Sequence, residues 1–401
     1  MAITIDIDTA RPYQVHVGTF LLEQAGPLVR ATAGGTKAVI VTDTNVGPLY
    51  QMPVKQSLEA SGYEVSICTF EAGEAHKRAE TYVAILEFVA EHELSRSDVI
   101  VALGGGVVGD VAGFVAATYM RGCKFVQIPT SLLAMVDSSV GGKTAIDLAA
   151  GKNLAGAFWQ PSAVIADFDC LASLDHALLT DSCGEVIKHA VLADGYLLDS
   201  LTASPLNGTD VDRSRMVDVV TENVGIKRDV VDADETEHGV RQTLNLGHTI
   251  GHAVEAASDF SLGHGTCVAI GMCCMARATE ALGWSSHEAT ERITAAVSAH
   301  GMPTDTALDH DILFRFATHD KKRHGDGMNV CVARDVEDVV VRRVSLAEFR
   351  RLVDLGCGAV LAEGEPHARL GVHVRGVDCP DAQQPVVAVG VGAVLVPGGR
   401  R

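Results

Sequence analysis

Three short runs near the start of the chain, KAVIVTD, YEVSICTF and DVIVALG, read as continuous apolar runs that end in polar residues or glycine. A strand of that composition has to be covered on both faces, as in a parallel sheet between layers of helices. Helical periodicity over 46–61 and 77–92 separates the runs, and strand–helix alternation of this kind predicts a doubly wound α/β domain. ITIDID and YQVHVG, ahead of them, read as two more strands, paired as a hairpin. Ligands of such domains gather beyond the carboxyl ends of the strands. There Asp43, Thr44 and Asn45 follow one run, and Gly104 to Gly106 follow another.

The character changes near Ser173. The segments 178–200, 213–232, 243–257, 267–282 and 287–299 read as helices, and a hairpin-like pair, MNVCVA and EDVVVRRVS, precedes a last helix over 346–353. The expected organisation is a doubly wound α/β domain (1–172), a mostly helical domain (173–356), and an extension (357–401). The extension is rich in Gly, Val and Pro; strand-like runs in it could form a small appended sheet.

Charge narrows the partners. A formal net charge of −19 argues against nucleic acid and against an anionic membrane surface, but not against a small anion held in a local basic pocket. The ten cysteines form no CxxC pair and sit mostly in apolar runs, so buried thiols in a reducing cytoplasm are expected. The N-terminal residues lack a basic region followed by an apolar run, and the most apolar window, 99–120, is broken by Asp110 and glycines; neither a signal peptide nor a transmembrane helix is expected.

Chemistry concentrates in RQTLNLGHTIGHAVEAASDFSLGHG. His248 and His252 are four apart and share a helix face, with His264 following in a glycine-flanked turn and Arg241 and Asn245 within two turns upstream. Sixteen histidines in 401 residues would produce an i,i+4 pair roughly 0.6 times per chain by chance, so spacing alone leaves core or solvated histidines as a reading. Glu185 and Lys188, three apart in CGEVIKHAV, form either an ordinary intrahelical ion pair or one carboxylate of a two-His, one-carboxylate metal set. Three protein ligands that leave a fourth position open mark a catalytic zinc site. GGGVVGDVAGF opens after a strand and leads into a helix, suiting either a tight turn or a pyrophosphate cradle. Asp43, Asn45, Glu74 and Lys77 could hold the rest of a dinucleotide. Lys143 and Lys152 sit in glycine-rich, loop-like contexts that suit phosphate or carboxylate. Asp137 interrupts an otherwise apolar and serine stretch, and Asp320-Lys321-Lys322-Arg323 is a short charged run.

In order, GGGVVGD, MRG, IPTSLLAMVDSSVGGKTAID, GKNLAGAFWQP, GEVIKHA, LNLGHTIGHAVE, HG and DKK resemble the 3-dehydroquinate synthases of the sugar-phosphate cyclase family, over roughly 3–355. The resemblance implies a cytoplasmic, homodimeric carbon–oxygen lyase of the shikimate pathway that uses NAD and Zn2+ (or Co2+). Its substrate would be the sugar-acid phosphate 3-deoxy-D-arabino-heptulosonate 7-phosphate, converted to 3-dehydroquinate by transient oxidation, loss of phosphate, re-reduction and aldol closure. It further implies Glu185, His248 and His264 as metal ligands, His252 for proton transfer, and Lys188, Lys227, Arg241 and Asn245 as further catalytic residues. Arg121, Asp137, Lys143, Asn153 and Lys321 match substrate-binding positions. Asp43, Asn45, Glu74, Lys77, Gly105, Gly106, Asp110, Thr130, Ser131 and Lys152 match NAD-binding positions.

The chain departs from the family pattern around the expected metal. Asp175-His176-Ala177-Leu178 replaces the usual Pro-x-Arg-Glu, Asp181-Ser182-Cys183-Gly184 alters the small pair, and Thr266-Cys267 follows His264-Gly265 in place of Glu-Ala. Three other readings stand beside the resemblance. A cyclase for an amino-substituted analogue would keep the same residues. A metal-dependent polyol dehydrogenase would have no need of the lysines and arginines, and an inactive scaffold would use the extension to recruit a partner.

Overall fold

The computed structural model describes residues 2–206, 213–259, 261–318 and 327–358; Lys321 and residues 359–401, nearly all of the extension, lie outside them. A hairpin opens the chain, β1 (Ile3–Ile7) and β2 (Tyr13–Gly18), followed by α1 (Ala25–Thr32). Strands and helices then alternate: β3 (Lys37–Asp43), α2 (Gly47–Ala60), β4 (Glu64–Phe70), α3 (Ala79–Glu91), β5 (Val99–Gly104), α4 (Gly106–Thr118) and β6 (Lys124–Pro129). A second hairpin, β7 (Lys143–Leu148) and β8 (Gly151–Phe158), precedes β9 (Ala163–Asp167). The main sheet runs β1-β2-β9-β6-β5-β3-β4, antiparallel only between β1 and β2.

KAVIVTD and DVIVALG fold this way because both of their faces are covered, whereas YEVSICTF, expected to be buried like them, is the edge strand β4, with only Cys68 buried. Every residue of β5 is buried, as are six of the seven in β3. From β3 the chain moves outward to β4, then crosses back over β3 to β5 and on to β6. The winding therefore reverses between β3 and β5. A crevice opens there at the carboxyl ends, beside Asp43 and Gly104.

The second layer is helical: α5 (His176–Ala193), α6 (Gly195–Ala203), α7 (Arg213–Ala233), α8 (His248–Ala257), α9 (His264–Ala281), α10 (His287–Ala299) and α11 (His310–Thr318). The antiparallel pair β10 (Gly327–Asp335) and β11 (Asp338–Ser345) then leads to α12 (Leu346–Gly356), which opens with a capping box of Ser345 and Glu348. Helix α9 is the axis of this layer, buried almost continuously from Cys267 to Thr279. No helix among the described residues is long and apolar enough to cross a membrane.

Several elements differ from expectation. The segment 178–200 is two helices, because Asp194 breaks the first and its side chain caps the second by accepting from Leu197 N–H at 2.8 Å. The helix expected over 243–257 begins only at His248, after a 3₁₀ turn over Val240–Asn245 and Gly247 in the left-handed region (φ 78°). A Cβ at Gly247 would lie 2.5 Å from the Val268 carbonyl oxygen, so α9 packs where a side chain would stand. The lysine- and glycine-rich segments read as loops form the β7/β8 hairpin, bulged between Ile146 and Leu148. His264 opens α9 instead of sitting in a turn before it.

Helices α5 and α9 approach at backbone contact. A Cβ on Gly184 would meet the Gly265 carbonyl oxygen at 2.0 Å, and one on Gly265 the Asp181 oxygen at 1.9 Å. That closeness brings Glu185 within reach of His264. Gly184→Ala is expected to lower stability by about 1–3 kcal/mol through overpacking, read as a fall in the denaturant midpoint. An unchanged midpoint would contradict the contact.

Candidate functional site

Three helices aim one side chain each at a common point. Glu185, on α5, is fully buried; His248 and His264 are the first residues of α8 and α9. Glu185 Oε1 lies 3.5 Å from His248 Nε2 and 3.5 Å from His264 Nε2. Donor atoms about 2.0–2.2 Å from one tetrahedral ion stand roughly 3.4 Å from each other, so these separations suit a shared cation. Both Glu185 oxygens are buried and accept no hydrogen bond from described residues, although the Lys188 ammonium lies against Oε2. A carboxylate and two imidazoles are an ordinary zinc donor set, and the residues fit a divalent ion. His248 Nδ1 lies 3.1 Å from the Leu246 carbonyl oxygen, which directs Nε2 toward Glu185. The donor atoms of His248, His252 and His264 also fall within 4.8 Å of one another, as do those of Asp137, Glu185 and His189.

The charges are balanced locally. Burial opposes ionisation of Glu185, but Lys188 and the two imidazoles hold it well below the usual carboxylate range. Burial pushes His248 down and His252 down to about 4, so both are neutral at pH 7. Burial would also lower His264, yet the carboxylates of Glu185 and Glu255 against its two ring nitrogens raise it to about 10 in the metal-free site. Deeper in, Asp137 Oδ1 lies 2.9 Å from Lys227 Nζ and 3.8 Å from Lys188 Nζ. Burial lowers Lys227 to about 8 in spite of that carboxylate, bringing it nearest to neutrality among these amines.

At the switch point, Gly105 caps α4, and Gly106 opens it directly after β5. Beside them Thr130 N–H donates to the Gly104 oxygen at 3.0 Å, and a Cβ on Gly105 would meet only Ser131 Oγ, at 3.6 Å. The exposed glycine backbone and following helix suit a pyrophosphate, so the residues fit a dinucleotide. Lys77 is buried, 2.6 Å from Asp110 Oδ2 and 2.6 Å from Asn153 Oδ1. Lys152 reaches Glu255 at 2.8 Å and Glu74 at 3.3 Å. Asp43 Oδ1 accepts from the amides of Asn45 (2.9 Å) and Val46 (2.8 Å), so it also fixes the turn into α2.

A cleft of about 540 Å³ opens beside the imidazoles, lined by Asn245, His248, His252, Phe316, Asn329 and Arg343 among others. At the same site Lys143 pairs with Glu237 at 2.6 Å, and Asn245 Nδ2 donates to that carboxylate at 2.8 Å. Arg241, fully buried, donates to the carbonyls of Gly141 and Glu235, leaving its Nε without an acceptor among the described residues. It does not extend the face of α8, because Gly247 intervenes. Arg121 stands apart from all of these, past the carboxyl end of α4 and about 20 Å from the glycine turn at 1.5 Å rise per residue.

Sequence reasoning passed over Glu237, Asp181 and Glu255. Glu237 offered no signal. Asp181 appeared only as a departure from pattern, yet its carboxylate accepts from the amides of Gly265 (3.3 Å) and Thr266 (2.8 Å), placing negative charge at the amino end of the helix that His264 opens. Glu255, seven residues after His248, shares its helix face, and that spacing was the available signal.

The parallel sheet with its glycine turn, followed by helices bearing a carboxylate–imidazole donor set, defines a class of α/β enzymes that join a nucleotide loop to a metal-type centre. Residues 67–181 match the family model for the N-terminal part of 3-dehydroquinate synthase, and 182–323 match its C-terminal part. Over 353 residues the chain is 41% identical to a 3-dehydroquinate synthase of Streptococcus pneumoniae, covering 87% of this chain and 99% of that one. The chain belongs to the 3-dehydroquinate synthase family. Among solved structures it superposes on 2-epi-5-epi-valiolone synthase of Streptomyces hygroscopicus, bound to NAD+ and Zn2+, with a TM-score of 0.77 at 26% identity, covering 86% of this chain and 96% of that one. It shares its fold with 2-deoxy-scyllo-inosose synthase complexed with carbaglucose-6-phosphate, NAD+ and Co2+ (TM-score 0.79, 23% identity, 88% and 100% covered).

Because His264 is raised from 6.5 to about 10 in the metal-free fold, its pairing with Glu185 and Glu255 stabilises fully below pH 6.5 and is lost as pH rises toward 10. In chelator-treated protein, the stability gap between wild type and His264→Ala should narrow across that window. A gap independent of pH would contradict the pairing.

Proposed function

We propose that this chain converts 3-deoxy-D-arabino-heptulosonate 7-phosphate to 3-dehydroquinate and phosphate, as a carbon–oxygen lyase. The observation that carries the reading is Glu185 Oε1 facing both imidazole Nε2 atoms at 3.5 Å, beside a cleft whose lining includes His248, His252, Asn245 and Arg343. Family membership and 41% identity over 353 residues support it. When bound, NAD would take up and return a hydride while a divalent cation held by Glu185, His248 and His264 supplied Lewis acidity, with no net change in the nucleotide.

The chain's own residues account for the rest. Asp43, Asn45, Glu74, Lys77, Gly105, Gly106, Asp110, Thr130, Ser131 and Lys152 would hold the nucleotide, and Lys77 links that set to Asn153. The unmatched Nε–H of buried Arg241 calls for an anionic acceptor, which favours a substrate bearing a carboxylate over a neutral sugar. Lys143, Asn245 and Lys227 add donors to the carboxylate and hydroxyls, and Lys188 and Asp137 orient Lys227. Arg121 and Lys321 are assigned to the substrate by resemblance alone. His252, neutral because burial lowers it to about 4, can accept a proton at an imidazole nitrogen. Local basic groups let an acidic chain bind a multiply charged anion.

The reading keeps a nucleotide-binding part (1–172), a metal- and substrate-binding part (173–356) and an extension (357–401), in a homodimer. Nine buried cysteines outside any disulfide among the described residues support a reducing cytoplasm.

Metal-loaded protein given NAD and the seven-carbon acid phosphate is expected to release phosphate and form the carbocycle without accumulating NADH. His252→Ala should slow turnover by roughly 10²–10⁴-fold while leaving nucleotide binding intact. NADH accumulation without phosphate release would instead identify a dehydrogenase.

A further inference from the structure

The carboxylate of Glu255 has a place in this site that the metal and nucleotide sets do not account for. Glu255 is on α8, three residues after His252 and seven after His248, and it is only 4% exposed. Its oxygens face different partners. Oε1 accepts from Lys152 Nζ at 2.8 Å, and Oε2 lies 3.4 Å from His264 Nδ1. Lys152 is shared with Glu74 at 3.3 Å. A buried carboxylate persists only where its charge is matched, and here the matching falls on a ligand imidazole and on a nucleotide-side lysine.

We propose that Glu255 is the positioning residue for His264, fixing the ring so that Nδ1 carries the proton and Nε2 presents its lone pair beside Glu185. The inference rests on the metal reading above and deepens it. Of the two nitrogens of His264, one is 3.4 Å from Glu255 and the other 3.5 Å from Glu185, so the imidazole spans the two carboxylates. An acceptor on Nδ1 selects the tautomer whose Nε2 is free for a cation, and a carboxylate acceptor also raises the basicity of that nitrogen. His248 is held differently, by the neutral Leu246 carbonyl. The two imidazoles are thus supported unequally, and His264 is the one whose affinity depends on a side chain. The competing role for Glu255 is a plain ion pair that fastens the β7/β8 hairpin to α8 through Lys152.

Co2+ serves as the probe, because its visible absorption reports ligand geometry as well as occupancy. Full-length wild type, Glu255→Gln, Lys152→Met and His248→Ala are each titrated with Co2+ after chelator treatment, and the melting temperature of each metal-free protein is recorded. Glu255→Gln, equal in size but uncharged, is expected to bind Co2+ roughly 10–100-fold more weakly and to shift the visible spectrum, with its metal-free melting temperature lowered by the lost pairing but the protein still folded. Lys152→Met breaks the ion pair but leaves the carboxylate on His264, so it should keep the wild-type spectrum. Affinity within twofold of wild type and an unshifted spectrum for Glu255→Gln would overturn the proposal, as would a Lys152→Met variant that reproduces the whole effect. The reading beneath fails separately: wild type without stoichiometric Co2+, or His248→Ala binding as wild type does, removes the metal site and this inference with it.

Discussion

A carboxylate with no access to water is the constraint around which the helical half of this protein is arranged. An ion of that size loses several kcal/mol of hydration on burial, and the loss is recovered only if positive charge or strong donors close around it. The charge of Glu185 is matched by the Lys188 ammonium against Oε2 and by the His264 imidazole 3.5 Å from Oε1, with the neutral His248 ring at the same distance. Such matching needs three helix positions held within a fraction of an ångström. The backbone contact between Gly184 and Gly265 and the left-handed turn at Gly247 supply it, since each would be blocked by a Cβ. Asp181 fastens the start of α9 from outside.

The same arrangement ties the two halves of the site together. Asp137, in the segment that follows β6, meets Lys227 from α7 and Lys188 from α5. Lys152 on β8 meets Glu255 on α8. Each is an ion pair between the sheet layer and the helical layer, and each joins a group expected to touch nucleotide or substrate to one beside the metal donors. A negative chain can present such a cleft because its lysines are paired with neighbouring carboxylates, not pooled on a surface.

Much of this was legible in the sequence, and the failures have physical reasons. The apolar runs KAVIVTD and DVIVALG gave away two buried parallel strands, because that signal is continuous along the chain; helical spacing pointed only to His248 and His252, and Glu185 and His264 joined His248 through the motif resemblance. The β7/β8 hairpin was hidden because glycine and lysine mask a period of two and a bulge at Ile146–Leu148 breaks it. Arg241 was read as close enough upstream to reach the side of His248; the left-handed Gly247 separates it from α8, and it donates to Gly141 instead. Glu237 reaches Lys143 across 94 positions in the chain, a pairing no local pattern encodes. Arg121 carried a motif resemblance, yet within one chain it stands at the far end of α4. Motif identity reports chemistry without reporting distance.

The central claim is that Glu185, His248 and His264 close on one cation, although two other donor groupings lie close by, His248–His252–His264 and Asp137–Glu185–His189. Anomalous diffraction at the zinc absorption edge from zinc-loaded crystals separates them directly. A single peak within bonding distance of Glu185, His248 Nε2 and His264 Nε2, with His252 and Asp137 outside it, is the predicted result. A peak bonded to His252 or to His189, or no peak between the three helices, would contradict the account.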